Sequence, residues 1–222
     1  MKIIVGAMFE ELEQVIKTKQ LTRVENSRFE EFKSLDHQLV VCITGIGTIN
    51  AASGLTYLLT KYQNVEQVIN LGTSGAIEHN LQQGEVVIVD KASYPTTNVT
   101  SFGYVHGQVP RMPQYFASDQ TLVAQQIHQF KQTHQDFKIV NAATMDVFVD
   151  NQQIVDEVIS KLPFPSQIVE MEVASYMQVA YLFKVSFIGI KIISDHVISP
   201  TESSLEFNEF LKQAAKKLSE II

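Results

Sequence analysis

The chain has 222 residues, of which 45% are hydrophobic, and its 17 basic and 24 acidic residues give a formal net charge of -7. A chain of this length can bury one large core, so we expect a single domain over residues 1–222. The negative charge disfavours nucleic acid and anionic membranes as partners, and no apolar run approaches the roughly 20 residues that span a bilayer. We therefore expect a cytoplasmic protein.

Short β-branched runs alternate with helical patterns along the chain. Strands are predicted at residues 3–5, 39–43, 67–70, 85–89, 138–141 and 187–193. Helices are predicted at residues 10–17, 50–61, 120–131, 151–161, 172–183 and 204–222, the last with a capping box of Ser203 and Glu206. Residues 92–116 predict a long structured loop of the kind that carries binding residues or interfaces. The alternation predicts an α/β fold with a mixed central sheet and helices on both faces.

Acidic side chains follow the first predicted strand. Glu10 and Glu11 come directly after the small-residue turn at residues 6–8. Open α/β sheets bind ligands beyond the ends of their strands, which favours a functional role for one of these acids. The alternative is that both are solvated and complement the helix dipole.

Two glycine-containing turns follow later strands. The Gly45-Ile46-Gly47 turn lacks the third glycine of a dinucleotide-binding fingerprint, so we interpret it as a structural turn. Residues 70–76 carry hydroxyls and backbone amides that could bind a water, a phosphate or a sugar oxygen. Taken alone, neither turn identifies a ligand.

Acidic side chains also lie at the start of a later predicted helix and just after the last predicted strand. Glu170 and Glu172 flank Met171, a spacing that predicts that one of them faces a site. A carboxylate there can accept hydrogen bonds from both hydroxyls of a ribose. Asp195 follows Ser194 after a buried strand, where it could protonate a departing purine, which leaves poorly as an anion. Roles as a helix-start acid and as a turn cap are the alternatives.

Metal chemistry has no support in the sequence. The six histidines are scattered without the spacing of a metal cluster, and the single cysteine, Cys42, lies in an apolar run. We predict no metal and give Cys42 no chemical role.

Together these motifs resemble those of the 5′-methylthioadenosine/S-adenosylhomocysteine nucleosidases of the nucleoside phosphorylase superfamily. The matching segments keep the family's order over almost the whole chain, and they are Gly6-Ala7-Met8 with Glu11, residues 45–47, Asn70-x-Gly72, residues 102–110, residues 170–172, Ser194-Asp195 and residues 207–211. The resemblance implies a three-layer α/β/α sandwich, a homodimer, and hydrolysis of the bond between adenine and the thioribose without a cofactor.

The resemblance also implies roles for single residues. Glu11 would activate the attacking water and Asp195 would protonate N7 of adenine. Glu172 would bind the ribose hydroxyls together with the Met171 backbone. Phe148 would stack on adenine, while the backbone of Val149 would contact the edge of the base.

Further substrate contacts follow from the same resemblance. Thr73 takes the place of a family serine near the water. The apolar pocket for the 5′-alkylthio group would comprise Val99, Phe102, Tyr104, Pro110 and Phe207, some of them from the dimer partner. The remaining substrate-binding residues would be Ala7, Met8, Ile49, Gly75, Glu170, Lys191 and Ser194.

Several positions depart from the family pattern. Lys191 replaces a usual arginine, which keeps the charge but loses the bidentate fork. Residues 73–76 and 94–96 also differ, and the segment 196–204 is about two residues longer than usual by this motif comparison. Three alternatives therefore stay open: a purine nucleoside phosphorylase, a nucleoside-binding protein without turnover, and a hydrolase of another adenine nucleoside such as aminodeoxyfutalosine. Glu11 argues against the phosphorylase, because a carboxylate beside the nucleophile repels phosphate.

Overall fold

Ten strands form one mixed sheet in the computed structural model, which describes residues 1–197 and 204–222, with side chains in 1–197 and 209–222. The strands are β1 (Lys2–Gly6), β2 (Thr22–Arg23), β3 (Glu30–Lys33), β4 (Leu39–Ile43), β5 (Gln67–Ala76), β6 (Val86–Ser93), β7 (Phe116–Ala117), β8 (Phe137–Thr144), β9 (Ile168–Glu170) and β10 (Ser186–His196). The helices are α1 (Phe9–Thr18), α2 (Thr48–Lys61), α3 (Gln120–Gln132), α4 (Gln152–Glu157), α5 (Val173–Phe183) and α6 (Ser204–Glu220). Short 3₁₀ turns lie at Thr100–Phe102 and Ile159–Lys161.

Each predicted strand and helix is present, but several bounds differ. The helix expected over residues 151–161 is a six-residue helix followed by a 3₁₀ turn. Glu172 is the N-cap of α5 and not its first helical residue. The predicted capping box at Ser203 and Glu206 lies outside the described residues and side chains. None of the described helices combines the length and apolar character that crossing a membrane requires.

Part of the sheet closes on itself. β5 pairs in parallel with β1 and β10, β10 pairs with the antiparallel β6, and β6 continues through β8 and β9 back to the end of β5. β5, β10, β6, β8 and β9 therefore form a ring, from which β1, β4, β3 and β2 extend as an open sheet. The sequence indicated a mixed sheet but not this closure.

Alternating side chains of the strands supply a core on each face of the sheet. On one face Ile3 and Val5 pack with apolar residues of α2 and α5. On the other face Ile4 packs with residues of α1, α3 and α6. This alternation follows from the two-residue period of a strand. The predicted three-layer α/β/α arrangement is confirmed.

Candidate active site

A cavity of about 250 Å³ lies against the ends of β1, β5, β9 and β10. Four acidic side chains, of Glu11, Glu170, Glu172 and Asp195, line it. The other lining residues are Ala7, Met8, Ile46, Thr73, Ser74, Gly75, Val147, Phe148, Val149, Val169, Met171 and Ser194. A concave site with convergent titratable groups is the usual form of a small-molecule site.

Glu11 is buried in the first turn of α1 and accepts three hydrogen bonds. Its Oε1 accepts from the Thr73 amide at 2.8 Å and from the Thr73 hydroxyl at 2.9 Å, and its Oε2 accepts from the Met8 amide at 3.2 Å. Burial raises the pKa of this carboxyl, although Lys191 and these hydrogen bonds act in the opposite direction. Such a carboxylate is oriented and readily takes up a proton.

Gly72 on β5 makes room for this arrangement. A Cβ at this position would lie 3.1 Å from Glu11 Oε1 and 3.3 Å from Lys191 Nζ. Both atoms belong to buried side chains, so neither can move away easily. The glycine therefore lets the carboxylate and the ammonium approach the strand backbone.

Glu172 is oriented by the Gly45–Gly47 turn. The Gly47 amide donates a 2.8 Å hydrogen bond to Glu172 Oε1, and both glycines have positive φ angles, of 89° at Gly45 and 100° at Gly47. Glycine adopts this conformation without steric cost. Burial and the neighbouring Glu170 raise the pKa of Glu172 to about 7, although Lys191 and the Gly47 amide lower it. The turn interpreted as structural thus also contacts the cavity, through Ile46 and Glu172.

Glu170 anchors the start of α5. Its Oε2 accepts from the amides of Glu172 at 2.9 Å and Val173 at 2.7 Å, and its Oε1 accepts from the Thr144 hydroxyl. These contacts provide hydrogen-bond acceptors for amides at the helix N-terminus that have no partner within the helix. Both neighbouring acids line the cavity, whereas the spacing around Met171 predicted that only one would face it, and Glu170 has a structural role in addition.

Lys191 is the buried cation of this cluster and is only 2% exposed. Its Nζ lies 3.2 Å from Glu170 Oε2. Burial alone would lower the pKa of this ammonium, but Glu170, Glu172 and Glu11 outweigh it and raise the pKa. Lys191 stays charged and offsets the repulsion among these carboxylates. It does not line the cavity, although the sequence analysis expected it to bind substrate.

Asp195 lines the same cavity as Glu11, further along β5. Thr73, which binds Glu11, and Gly75, which pairs with Asp195, are two residues apart on one strand, a rise of about 7 Å. The Ser194 hydroxyl can donate to Asp195 Oδ1 or to the Ser74 carbonyl. The pairing of β10 with β5 has a register shift between Ile193 and Asp195, at this end of the strand.

Most of the predicted substrate contacts meet at this cavity, but one set does not. Phe148, 64% exposed, and the buried Val149 line it from the segment that follows β8. The predicted residues that do not line it are Ile49, Val99, Phe102, Tyr104, Pro110 and Lys191, while the Phe207 side chain lies outside the described residues. Phe102 is 81% exposed and Ile49 is 77% exposed. Val99, Phe102, Tyr104 and Pro110, which were predicted to form the alkylthio pocket, therefore do not reach the cavity of their own chain.

Four lining residues were not among the predicted site residues: Ile46, Ser74, Val147 and Val169. Two of them had a signal, because Ile46 stands between the glycines of a turn at a strand end and Val147 precedes Phe148. The described residues contain no group of three or more histidine, cysteine, aspartate or glutamate side chains arranged to hold a metal ion.

Comparisons with known proteins agree with this geometry. A family model described as the phosphorylase superfamily matches residues 2–222. The 5′-methylthioadenosine/S-adenosylhomocysteine nucleosidase of Staphylococcus epidermidis is 31% identical over 99% of this chain and 96% of the relative. The nucleosidase of that name from Bacillus cereus is 36% identical over 96% of this chain and 92% of the relative.

Solved structures give the same result. The nucleosidase from S. pneumoniae with a transition-state inhibitor superposes with a TM-score of 0.88 at 31% identity, covering 100% of this chain and 96% of that one. The enzyme from Neisseria meningitidis in complex with methylthio-immucillin-A has a TM-score of 0.87 at 29% identity, covering 99% and 97%. The chain therefore belongs to the phosphorylase superfamily and, within it, to the family of 5′-methylthioadenosine/S-adenosylhomocysteine nucleosidases.

Proposed function

We propose that this protein hydrolyses the N-glycosidic bond of 5′-methylthioadenosine and S-adenosylhomocysteine, releasing adenine and the thioribose. The observation that carries the proposal is a pair of acids that line one cavity, Glu11 bound at Thr73 and Asp195 beside Gly75. Cleavage of this bond needs a base for water and an acid for the leaving group. The names of the full-length relatives support the same substrates.

Glu11 acts as the general base in this mechanism. It accepts a proton from a water molecule, whose oxygen then forms a bond to C1′ of the sugar as the bond from C1′ to N9 breaks. Burial raises the pKa of Glu11, which favours proton uptake. The contacts with Thr73 and Met8 fix the carboxylate before substrate binds.

Asp195 acts as the general acid. It donates a proton to N7, so that adenine takes the electron pair of the broken bond and leaves as a neutral base. The Ser194 hydroxyl, within hydrogen-bond distance of Asp195 Oδ1, orients the carboxyl. Phe148 and Val149 contact the adenine, Phe148 by stacking.

Glu172 binds the ribose hydroxyls and places negative charge near the sugar, where positive charge develops in the transition state. Glu170 and Lys191 support Glu172. Glu170 fixes the first turn of α5, and Lys191 offsets the repulsion among the carboxylates. The remaining predicted contacts, at Ala7, Met8, Gly75, Met171 and Ser194, surround the nucleoside in the same cavity.

A purine nucleoside phosphorylase is the competing activity, because the superfamily is named for phosphorolysis. The acidic lining disfavours it: Glu11 faces the position of the nucleophile, and the buried ammonium of Lys191 is paired with Glu170. The test is adenine release from methylthioadenosine in phosphate-free buffer. We expect full turnover without phosphate, and an absolute requirement for phosphate would refute the hydrolase. Tight nucleoside binding with no adenine release under either condition would indicate a binding protein.

We also propose that the chain acts as a homodimer. Phe102 and Ile49 are exposed apolar residues that do not reach the cavity of their own chain. Phe102, together with Val99, Tyr104 and Pro110, would contribute to the alkylthio pocket of the partner, and Ile49 would be a further substrate contact. We further propose one domain over residues 1–222, a cytoplasmic location and a role in methionine salvage.

A further inference from the structure

A buried hydrogen bond joins α5 to the connection between β4 and α2. Tyr176 is fully buried on α5, and its hydroxyl contacts Thr44 Oγ1, which is its partner among the described residues. Thr44 Oγ1 also lies 3.3 Å from the Gly6 carbonyl and 3.2 Å from the Gly45 carbonyl. Each hydroxyl has one proton, so the phenol donates to Thr44 and Thr44 donates to one of the two carbonyls.

Thr44 lies between the two segments that carry Glu11 and Glu172. Its amide donates to the Gly6 carbonyl at 3.0 Å, and the next amide, of Gly45, donates to the Ala7 carbonyl at 3.1 Å. The chain between β1 and Glu11 is thus tied to the end of β4. Three residues beyond Thr44, the Gly47 amide donates to Glu172.

The connection between β4 and α2 therefore contacts α5 at two points. Glu172 caps the helix and contacts Gly47, while Tyr176, about one turn further along the same face, contacts Thr44. Neither hydroxyl faces the cavity, so neither can touch substrate. Glu170 and Thr144 hold the amides of the first turn of α5, and the contact between Tyr176 and Thr44 adds a direct link from this helix to the segment that carries the glycine turn.

We propose that Tyr176 and Thr44 are positioning residues that set the orientation of the Glu172 carboxylate through the Gly47 turn. The inference rests on the proposed function in one respect, since it takes Glu172 to bind the ribose. It predicts that the hydroxyl pair influences recognition of the sugar and leaves recognition of the base unchanged.

The test is Tyr176→Phe, which removes the phenolic hydroxyl and keeps the ring. We expect kcat/KM for methylthioadenosine to fall about tenfold, since small misplacement of a positioning contact is costly. Affinity for the 7-deaza analogue of methylthioadenosine, which cannot be protonated at position 7, should fall by a similar factor. Affinity for free adenine, which lacks the ribose, should not change.

Tyr62→Phe is the matched control, because its hydroxyl binds Glu31 beyond the far end of α2. It removes one tyrosine hydroxyl from a hydrogen bond and should leave all three quantities as in the wild type. Thr44→Val, which removes the hydroxyl, should reproduce the Tyr176→Phe defect. Thr44→Ser, which keeps the hydroxyl, should have a kcat/KM closer to the wild type than Thr44→Val has.

Unchanged kcat/KM in Tyr176→Phe, or an equal loss of affinity for adenine and for the nucleoside analogue, would overturn the inference. The double variant Tyr176→Phe with Glu172→Gln gives a second check, since the two losses should not add if one acts through the other. A wild-type protein that releases no adenine would refute the proposed function, and the two binding measurements would still decide the positioning role.

Discussion

At the residue scale, the two acids that line the cavity, Glu11 and Asp195, have different hydrogen-bond partners. Glu11 accepts hydrogen bonds from backbone and hydroxyl groups, whereas Asp195 has a neighbouring serine hydroxyl. Different roles for two carboxyls require different environments. The structure provides these environments on adjacent strands, β5 and β10.

Asp195→Asn tests the acid directly. Asparagine keeps the shape but cannot donate an acidic proton to N7, so turnover should fall by about 10²–10⁴-fold. Binding of the 7-deaza analogue should remain measurable by calorimetry. Asp90→Asn, on β6 and paired with Lys91, is the control and should retain turnover. Near-normal turnover of Asp195→Asn would exclude Asp195 as the acid.

Glu172 should destabilise the fold at neutral and higher pH. Its pKa is raised from 4.5 to about 7, so the unfolded chain loses this proton at a lower pH than the folded one does. Stability therefore falls as pH rises through that window. Glu172→Gln removes the charge and should raise the free energy of unfolding by about 1–3 kcal/mol at about pH 8, with little gain near pH 4.5.

Denaturant unfolding at both pH values measures this difference. Glu10→Gln is the control: it makes the same substitution at an exposed glutamate and should show no such pH dependence. A gain for Glu172→Gln that is equal at both pH values would contradict the argument. The same variant should lose turnover, because the proposed ribose contact needs the carboxylate.

Residues that line the cavity were easier to predict from the sequence than the residues that contact and orient them. Polar residues at strand ends were informative, because burial there is costly unless they have partners or a function. Val169 carried little signal, since an apolar residue that lines a cavity has the same sequence pattern as one in the core. The contact of Lys191 with Glu170 could not be predicted, because it depends on how β10 lies against the start of α5.

At the element scale, the long strands were predictable and the short ones were not. Four strands have only two to four residues: β2, β3, β7 and β9. So few residues cannot show an alternation of apolar and polar side chains, and the pairing of these strands is set by tertiary contacts. β6 and β10 also continue past their apolar runs. In both strands polar residues follow a register shift, which lies between Val89 and Lys91 in β6 and between Ile193 and Asp195 in β10.

Gly54 in the middle of α2 shows packing overriding helix propensity. A Cβ there would lie 2.5 Å from Thr44 Cγ2 and 2.9 Å from Thr44 Cβ. Alanine normally favours a helix by up to about 1 kcal/mol over glycine, but this clash should make Gly54→Ala destabilising by about 1–3 kcal/mol. Thermal or denaturant unfolding would measure the change.

Ser53→Ala is the control, since its side chain is exposed on the same helix and should be neutral or slightly stabilising. Adding Thr44→Ser to Gly54→Ala removes the closest clashing atom and should recover part of the loss. A stabilised Gly54→Ala variant would show that α2 can shift away from Thr44 without cost.

At the scale of the whole molecule, several apolar residues that were predicted to bind substrate lie outside the cavity, which favours the proposed dimer. The loop between β6 and β7 was predicted to carry binding residues or an interface, and it presents Phe102 to solvent. A symmetric dimer would place this loop at the partner's cavity. Sequence resemblance identified these residues, but which chain they serve depends on assembly.

Co-expression of two defective chains tests the shared site. Asp195→Asn inactivates the cavity of its own chain, and Phe102→Ala weakens the pocket of its partner. In a mixed dimer one site carries both changes and the other carries neither, so random pairing should restore about a quarter of wild-type activity. The variants purified separately and mixed without subunit exchange are the control. No recovery in tagged, purified mixed dimers would show that Phe102 does not act across chains.

The ring formed by β5, β10, β6, β8 and β9 also affects how copies of the chain can associate. The ring leaves only short edges among the described strands: β2 and β7 are each two residues long, and β9 pairs with β8 only from Ala142 to Thr144, so the preceding residues of β8 form a further short edge. Edges this short are poor templates for the growth of intermolecular sheets. Concentrated protein should therefore resist fibril formation, and its contacts between copies should be made by side chains.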